Sequence, residues 1–382
     1  MGAMDELIDA AAVDRLRAHL QAAAPDLRLD AVRQAAHDVD GHKLRARTDL
    51  VARALLADLP DDHTTAAAVV RQALTDPGLT GWAVWPVTEA VATLALASPD
   101  PTAFEDGLHL LAELTPRLTS EFAIRRFLLA DLDRTLAVAV GWTTDPDPHV
   151  RRLASEGTRP YLPWAVRVPA LLTVPDATVP ILDALHRDED EVVRRSVANH
   201  LNDLSRHAPD LVARVAARWL EAETTGAGSD PAATDPARAT RTRAVVRHGL
   251  RTLVKQAHPG ALELLGFPPV TVSVGPILLA QTHVTTPGEL VLAADLTNDG
   301  PQPAVLAVDY VVHYLKQNGS HRAKVFKLTT RTLAPGETTR VSTRHALRPM
   351  TTRVHYPGEH HVELQVNGVR YSRTAFELTL GD

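Results

Sequence analysis

The sequence predicts an α + β multidomain protein, with an N-terminal all-α repeat region followed by an all-β sandwich. Apolar residues recur at three- and four-residue spacing from residue 5 to about residue 266. A segment near residue 150 recurs near residue 193, and short alternating runs rich in β-branched residues follow Gly266. We therefore predict two domains, a helical domain at 1–268 and a sandwich at 269–382.

Short breaks rich in Asp and Pro separate the predicted helices. Val13, Leu16 and Leu20 illustrate the apolar spacing that places side chains on one face of a helix. Aspartate is favoured just before a helix, because its side chain accepts a hydrogen bond from an unpaired amide of the first turn. Proline is favoured at the first helical position. The breaks lie at residues 59–62, 76–78, 99–101 and 145–148.

A repeat indicates how these helices are organised. Residues 147–156 match residues 190–199 at an offset of about 43 residues, within the ~40–47-residue period of HEAT-type helix pairs. Such pairs stack on their neighbours and form a concave face. We interpret the first domain as an all-α HEAT-like repeat solenoid, in which the polar, Gly-bearing stretch 224–233 is a loop between helices.

The C-terminal part has the pattern of a β-sandwich. Asn367-Gly368 stands between two alternating runs, which is a strong signal for a two-residue hairpin turn. Seven short strands over a domain of this size favour an all-β immunoglobulin-like sandwich, here without the cysteine pair of antibody domains. The predicted strands are 270–274, 290–296, 305–315, 324–329, 339–343, 361–366 and 369–378.

Composition and charge exclude several classes of function. The chain has no cysteine, which excludes thiol nucleophiles, iron–sulfur clusters and Cys-based zinc sites. The net charge of −6 argues against indiscriminate nucleic-acid binding. Residues 271–382 hold 11 Lys and Arg against 9 Asp and Glu, so DNA binding by the helical domain requires a local basic stripe on an acidic body. We predict no metal and no cofactor, because no Gly-rich phosphate loop or metal-ligand spacing is present.

Two polar stripes on the repeats are the candidates for chemistry. Arg152, Glu156 and Arg159 lie at i, i+4 and i+7, and so share one face of a continuous helix. The neighbouring repeat carries a second stripe, made of Arg195, Asn199 and Asp203. Spacing of this kind is also typical of surface ion pairs worth only about 0.3 kcal/mol each. The recurrence on both repeats, with Trp164 beside one of them, favours a functional surface.

Three contiguous blocks resemble the DNA alkylation repair glycosylases of the AlkC/AlkD superfamily, the AlkC branch in particular. The blocks are residues 120–128, 151–164 and 194–205. Residues 252–267 are similar to the end of that family's helical domain, so the resemblance covers most of residues 5–270. Some AlkC-like proteins also carry a C-terminal immunoglobulin-like domain. Arg126 departs from the family's pattern, which more often has Pro at that position.

The resemblance implies a monofunctional DNA glycosylase that hydrolyses the N-glycosidic bond of cationic N3-alkylated bases, such as N3-methyladenine and N3-methylcytosine. Its carboxylates would stabilise an oxocarbenium-like transition state and position water. An electron-rich ring would attract the cationic base by a cation–π interaction. The family's enzymes are thought to bend the duplex and attack the lesion in an open groove, without flipping the base out.

The implied site residues fall into three groups. The catalytic carboxylates are Glu121, Glu156 and Asp203. The lesion-contacting rings are Trp164, with Trp82 and Trp85 behind it, although packing between helices is the alternative for Trp82 and Trp85. The DNA-binding side chains are Arg152, Arg159, Arg194, Arg195, Asn199 and Arg247, which would contact phosphates without reading sequence.

The expected partner is double-stranded DNA that contains alkylated bases. We expect no membrane association and no obligate protein partner, and therefore a cytoplasmic, nucleoid-associated monomer. Two other functions stay open: a non-catalytic relative that binds distorted or branched DNA, and a protein-binding repeat scaffold. The sandwich is either a second DNA contact, through Arg322, Lys324 and Lys327, or a passive module.

Overall fold

The computed structural model describes residues 4–225, 236–348 and 354–381. Contacts divide the chain into two compact units, Met1–Gly249 and Leu250–Asp382. The first unit is helical, and the second begins with two short helices and continues as β-sheet. The predicted fold class is confirmed. The boundary between the two units lies after Gly249. The sequence predicts the domain boundary later, after residue 268, where helices are followed by strands.

The helices within the described ranges are short and closely spaced. They are α1 (Ala10–Ala23), α2 (Asp30–Asp38), α3 (Leu44–Asp58), α4 (His63–Leu74), α5 (Val84–Ala97), α6 (Ala103–Leu114), α7 (Ile124–Ala130), α8 (Leu132–Gly141), α9 (Pro148–Glu156), α10 (Ala170–Thr173), α11 (Val179–Leu185), α12 (Glu191–Leu204), α13 (Pro209–Thr225), α14 (Pro236–Gly249), α15 (Arg251–Lys255) and α16 (Pro259–Leu264). Short 3₁₀ helices lie at Asp5–Ile8, Thr115–Arg117 and Trp142–Thr144. None of the helices among the described residues is long and apolar enough to span a membrane.

Aspartates start several of these helices, as the Asp-rich breaks predict. Asp9, Asp62, Asp131, Asp147 and Asp190 each accept a hydrogen bond from a backbone amide in the first turn of α1, α4, α8, α9 and α12 respectively. A cap of this kind stabilises a helix by about 1 kcal/mol. The caps fix where α9 and α12 begin, and these two helices carry most of the candidate site residues that the sequence predicts.

The repeat at residues 147–156 and 190–199 has matching local structure. In α9, Arg151 donates hydrogen bonds to the carbonyls five and six residues before it, at 3.1 and 2.9 Å. In α12, Arg194 donates to the carbonyls five and six residues before it, at 2.7 and 2.6 Å. The two helices pack against each other, and the Ser196 hydroxyl donates to the Ser155 hydroxyl at 3.0 Å. The same arginine therefore closes the same turn in two neighbouring repeats.

The end of α9 lies unusually close to α7. A Cβ added to Gly157 would lie 2.8 Å from Ile124 Cγ2 and 2.9 Å from the Leu153 carbonyl oxygen. Packed carbon atoms normally stay about 3.5–4.0 Å apart. Glycine is therefore required where α9 meets α7, and this contact sets the position of the chain that follows Gly157.

The second unit is a sandwich of two β-sheets whose strands are mostly antiparallel. Its strands within the described ranges are β1 (Val272–Val274), β2 (Leu278–Leu279), β3 (His283–Thr286), β4 (Gly288–Asn298), β5 (Ala304–Leu315), β6 (His321–Leu333), β7 (Thr338–Leu347), β8 (Gly358–Val366) and β9 (Val369–Leu380). In one sheet β4 pairs antiparallel with β7, β1 and β2. The other sheet has the order β3-β9-β8-β5-β6, in which only the β3–β9 pair is parallel.

Buried and more exposed side chains alternate along strands such as β4 and β8, and the buried ones form the core of the sandwich. Leu290, Val312, Leu364 and Phe376 lie in one buried apolar cluster between the sheets. The predicted hairpin at 367–368 is confirmed: both residues have positive φ, 42° and 86°, as a type I′ turn requires. The seven predicted strands are present, and β2 and β3 are additional. With two and four residues, these two are too short to show an alternating pattern.

Most of the loop predicted at 224–233 lies outside the described residues. The exceptions are residues 224 and 225, which belong to the last turn of α13 rather than to a loop.

The contact at Gly157 gives a test of the helical packing. We expect Gly157→Ala to lower the free energy of unfolding by about 1–3 kcal/mol, because the added methyl group overpacks the junction of α7 and α9. Urea unfolding of the full chain measures this change.

Gly141→Ala is the matched control. Gly141 ends α8, and a Cβ there would meet no atom within 4 Å. We expect this variant to be unchanged or up to about 1 kcal/mol more stable, since alanine is the better helix former. Equal effects of the two substitutions would contradict the close approach.

Candidate active site

Five charged side chains form a continuous row of alternating sign in the first unit. The Arg152 guanidinium joins two carboxylates, with its Nη2 at 2.9 Å from Glu121 Oε2 and 3.8 Å from Glu156 Oε1. The Arg159 guanidinium joins the next two, with Nη1 at 2.6 Å from Glu156 Oε1 and Nε at 2.9 Å from Asp203 Oδ2. We call these five residues the charge ladder. It brings together the three carboxylates that the sequence analysis singled out.

Three separate segments supply the charge ladder. Glu121 lies in the turn before α7, Arg152 and Glu156 lie on α9, and Asp203 lies near the end of α12. Arg159 follows the end of α9, because the helix stops at Glu156. The prediction that Arg159 shares one helix face with Arg152 and Glu156 is therefore wrong. The residue after Arg159 is a proline, which disfavours helical backbone in the residue before it, and the chain turns there toward α12.

Each carboxylate of the ladder uses one oxygen to bind arginine. Glu121 uses Oε2, which also accepts from the Thr119 hydroxyl at 3.1 Å; Glu156 uses Oε1 and Asp203 uses Oδ2. In the described part of the chain, the second oxygen of each carboxylate accepts no hydrogen bond from the protein. Each carboxylate of the ladder thus keeps one oxygen that no arginine binds.

Burial makes the ladder a coupled electrostatic unit. Glu156 and Asp203 are 7% and 3% exposed. Burial raises the pKa of Glu121, against the opposing attraction of Arg152. Burial alone would lower the pKa of Arg159, but its attraction to Glu156 and Asp203 holds that pKa above the usual value. With all groups ionised, the three carboxylates and two guanidiniums of the ladder sum to one negative charge, and the buried Arg125 guanidinium, which interacts with Asp203 and Arg159, adds a positive charge beside them.

A buried hydrogen-bond network fixes α9 against α12 beneath the ladder. His200 is fully buried; its Nδ1–H donates to the Ser155 carbonyl at 2.9 Å, and its Nε2 accepts from the Thr178 hydroxyl at 3.0 Å. Burial lowers the pKa of His200 to about 3. The imidazole is therefore neutral near neutral pH, and it acts as a structural residue rather than as a base.

Arg125 anchors the loop that follows α9. This fully buried side chain donates from Nη1 to the carbonyls of Gly157 and Arg159, at 3.1 and 2.6 Å, and from Nε to the carbonyl of Val166 at 3.1 Å. Burial lowers its pKa to about 10, so it remains a cation at neutral pH. One guanidinium thus holds both ends of the segment 157–166.

That anchored segment presents Trp164 to solvent. The Trp164 side chain is 67% exposed, and its backbone has φ of 62°, a left-handed conformation that is unusual outside glycine. Unusual backbone of this kind concentrates at functional sites. The ring is accessible to a ligand, and its contact with a lesion stays a prediction.

Trp82 and Trp85 differ from Trp164 in their surroundings. Trp85 is buried on α5, stacks on Phe122 with ring centroids 4.4 Å apart, and donates from Nε1 to Glu89 at 3.2 Å. Trp82 is half-buried against Trp85, at 6.2 Å between ring centroids. This geometry favours helix packing over lesion contact for Trp85, because its ring is already covered on both sides by protein.

The predicted DNA-binding side chains do not form one group. Arg159 is 8% exposed and committed to two carboxylates, and Arg194 closes the turn before its own helix, so both have structural partners instead of free charge. Arg195 is exposed and pairs with Glu191, Asn199 accepts from His248 Nε2 at 3.0 Å, and Arg247 is exposed on α14. Arg152 is the one ladder cation with a quarter of its side chain exposed.

An open cavity of about 380 Å³ lies between α3, α5 and the turn that carries Phe122. Arg45, Glu89, Arg126 and Val166 are among its lining residues, and none of the five ladder residues is. Arg126 donates to the Glu89 carbonyl and contacts the Thr93 hydroxyl, so this side chain has partners on α5. Within the described ranges, no group of three or more His, Asp or Glu side chains has metal-binding geometry.

Two residues that support the ladder, Thr119 and Arg125, were not identified from the sequence. Both lie in or next to the first matching block, but each holds backbone or a neighbouring side chain rather than facing a ligand. Buried polar residues inside an apolar helix pattern, such as Arg125 between Ile124 and Phe127, were the available signal for such roles.

Two family models match separate parts of the chain. Residues 119–245 match the model described as "DNA alkylation repair enzyme". Residues 273–380 match the model described as "Uncharacterised protein YhaZ, C-terminal Ig-like domain". All five ladder residues lie within the first match.

Two relatives match the chain over almost its whole length. The uncharacterised protein YhaZ of Bacillus subtilis (strain 168) is 30% identical over 373 residues, which cover 96% of this chain and 97% of YhaZ. A solved structure of the Pseudomonas fluorescens alkylpurine DNA glycosylase AlkC, bound to DNA containing an abasic site analogue, is 30% identical. It covers 99% of each chain with a TM-score of 0.78.

The raised pKa of Glu121 predicts an effect of pH on stability. A carboxyl with a raised pKa contributes stability that is fully present below its unfolded pKa of about 4.3 and is lost as pH rises through the folded pKa. Glu121→Gln removes this ionisation. We therefore expect the variant to be at least as stable as wild type at about pH 7, and to lose that relative advantage near pH 4.

Urea unfolding of both proteins at the two pH values checks this expectation. Glu191→Gln, an exposed helix residue paired with Arg195, is the control and should change stability by less than about 0.5 kcal/mol at either pH. If Glu121→Gln instead loses stability relative to wild type as pH rises, the attraction of the Glu121 carboxylate to Arg152 outweighs the effect of its burial on the pKa, and the expectation is wrong.

Proposed function

We propose that this chain, which belongs to the AlkC-like branch of the DNA alkylation repair enzymes, is a monofunctional DNA glycosylase that releases cationic N3-alkylated bases from double-stranded DNA. N3-methyladenine and N3-methylcytosine are the expected substrates. The observation that carries this proposal is the charge ladder, in which three carboxylates from three segments meet around two guanidiniums. The relation to an alkylpurine glycosylase that binds DNA supports it.

The chemistry that this site favours is hydrolysis through a sugar cation. An N3-alkylated base is already cationic, so it leaves as a neutral molecule with the electron pair of the C1′–N bond and needs little help from a general acid. The positive charge passes to the sugar, and negative groups held close to it stabilise the transition state. Water then forms the new bond to C1′ and gives its proton to a carboxylate or to solvent.

In each of Glu156 and Asp203, one carboxylate oxygen is not bound by Arg159, and we expect these two oxygens to stabilise the sugar cation. Both groups are buried, so their interaction with the sugar cation is weakly screened. Arg159 fixes one oxygen of each, which leaves the second oxygen oriented before the substrate arrives. Preorganised charge of this kind needs no reorganisation during the reaction. Glu121 completes the negative end of the ladder.

Selectivity for charged bases follows from the neighbouring loop. The exposed ring of Trp164 offers an electron-rich face to a cationic base, an interaction worth about 0.5–2 kcal/mol. The three matching blocks contain no lysine, so a Schiff base with the sugar is not expected and the enzyme would leave an abasic site uncut. The ladder does not line the described 380 Å³ cavity, which favours attack on a base that stays in the duplex.

Base release by Glu156→Gln tests the proposal. We expect wild-type protein to release N3-methyl bases from methylated duplex DNA, and Glu156→Gln to lose about 10²–10³-fold in single-turnover rate, the usual effect of one preorganised electrostatic group. Binding of the same duplex should change much less, because the substitution removes no cation.

Glu191→Gln serves as the control in this assay, since Glu191 is exposed on α12 away from the ladder contacts. A wild-type protein that binds DNA but releases no methylated base would refute the glycosylase proposal. The non-catalytic DNA-binding relative would then be the better account.

A further inference from the structure

Beside the charge ladder, two arginines share one tyrosine ring. The guanidinium carbon of Arg167 lies 4.5 Å from the ring centroid of Tyr161, and that of Arg206 lies 4.4 Å from the same centroid. The His207 ring is parallel to the tyrosine ring at 5.5 Å, and the Tyr161 hydroxyl contacts His207 Nε2. We call Tyr161, Arg167, Arg206 and His207 the aromatic–arginine cluster.

The two cations of this cluster have no carboxylate partner in the described ranges. Arg167 and Arg206 are both exposed; Arg167 donates one hydrogen bond from Nη1 to the Pro160 carbonyl at 3.1 Å, and its remaining guanidinium donors face no carboxylate within ion-pair distance. By contrast, Arg151, Arg187 and Arg218 of the same unit are each paired with a carboxylate. Since both guanidiniums lie within 4.5 Å of one centroid, they are no more than about 9 Å apart. Two positive charges are therefore held together on an otherwise acidic chain.

The cluster continues the two segments that form the end of the ladder. Arg159 and Asp203 are bonded at 2.9 Å, and Tyr161 and Arg206 follow them by two and three residues. Chain segments of that length reach at most about 7 and 11 Å. A net negative site and a net positive site thus lie next to each other, held by the same pair of segments.

We propose that the aromatic–arginine cluster binds a backbone phosphodiester of the damaged DNA and so sets the position of the sugar at the charge ladder. The negative ladder repels phosphate and attracts the sugar cation, whereas the cluster does the opposite. Arginine is suited to this task, because its planar donors match phosphate oxygens and its face stacks on an aromatic ring. This inference rests on the proposed function, since it assumes that DNA is the ligand.

A purely structural role of Arg206 would give a different experimental result. Arg206 follows the C-terminus of α12, where a cation also interacts favourably with the helix dipole. In that case its removal would alter stability but leave the salt dependence of DNA binding unchanged. Salt dependence is thus the readout that separates the two roles.

The experiment compares DNA binding by wild type, Arg167→Gln, Arg206→Gln and Arg206→Lys between about 50 and 200 mM salt. Each glutamine variant should weaken binding and lower the slope of log K against log salt by about one, because one phosphate contact is lost. Arg206→Lys keeps the charge and should keep the slope. Arg218→Gln is the matched control, an exposed arginine already paired with Asp183, and should bind as wild type does.

Duplexes with single neutral methylphosphonate linkages locate the contact. Neutralising one phosphate near the lesion should weaken wild-type binding and have no further effect on Arg206→Gln. Inorganic phosphate provides the other arm: if it perturbs the Tyr161 and His207 NMR signals while the DNA slopes of the variants match wild type, the cluster is a free-anion site and the proposal is overturned. Unchanged slopes without such perturbation overturn it as well.

Base release by the wild-type protein separates this inference from the proposed function. If wild type releases methylated bases and Arg206→Gln keeps the wild-type slope, only the phosphodiester site is refuted. If wild type releases nothing but the slopes change as expected, the cluster binds DNA and the glycosylase activity is refuted. A wild-type protein without affinity for DNA refutes both.

Discussion

Three carboxylates can stay charged at one place only when cations separate them, and this requirement organises the first unit of the protein. Like charges in close contact raise one another's pKa and favour neutral forms. Arg152 and Arg159 stand between the carboxylates and oppose this effect, although burial and the Glu156 charge still raise the pKa of Glu121. Because the five groups come from three segments, the ladder exists only while α7, α9 and α12 keep their packing. The Gly157 contact and the His200 hydrogen bonds maintain that packing.

The same requirement explains what the sequence could reveal about the site. Glu121, Glu156 and Asp203 were identifiable because they lie in blocks that resemble a known family, and their meeting in space agrees with that choice. The sequence alone does not distinguish arginines that bind carboxylates or backbone carbonyls from arginines that have no such partner. Arg159 and Arg194 lie in the same blocks, yet one neutralises carboxylates and the other closes a turn. Arg167 and Arg206 are exposed and have no carboxylate partner in the described ranges, and no spacing pattern links residues so far apart in the sequence.

The fold was more accessible to sequence reasoning than the site. Asp caps, the 43-residue repeat and the Asn367-Gly368 turn each depend on local chemistry, so they could be read directly. The position of the chain that follows α9 depends on the close contact of Gly157 with α7, and the strands β2 and β3 depend on pairing with longer neighbours. These features are set by tertiary contacts, which a local pattern does not contain.

We expect the ladder to act as one electrostatic unit around Arg159. A double-mutant cycle with Glu156→Gln and Asp203→Asn, read as the single-turnover rate of N3-methyladenine release, measures this coupling. Each single substitution leaves Arg159 with one carboxylate, so the first loss disrupts the whole unit and the second adds little. The double variant should therefore lose clearly less than the product of the two single losses. Losses that multiply would show that the two carboxylates act independently, and would contradict this expectation.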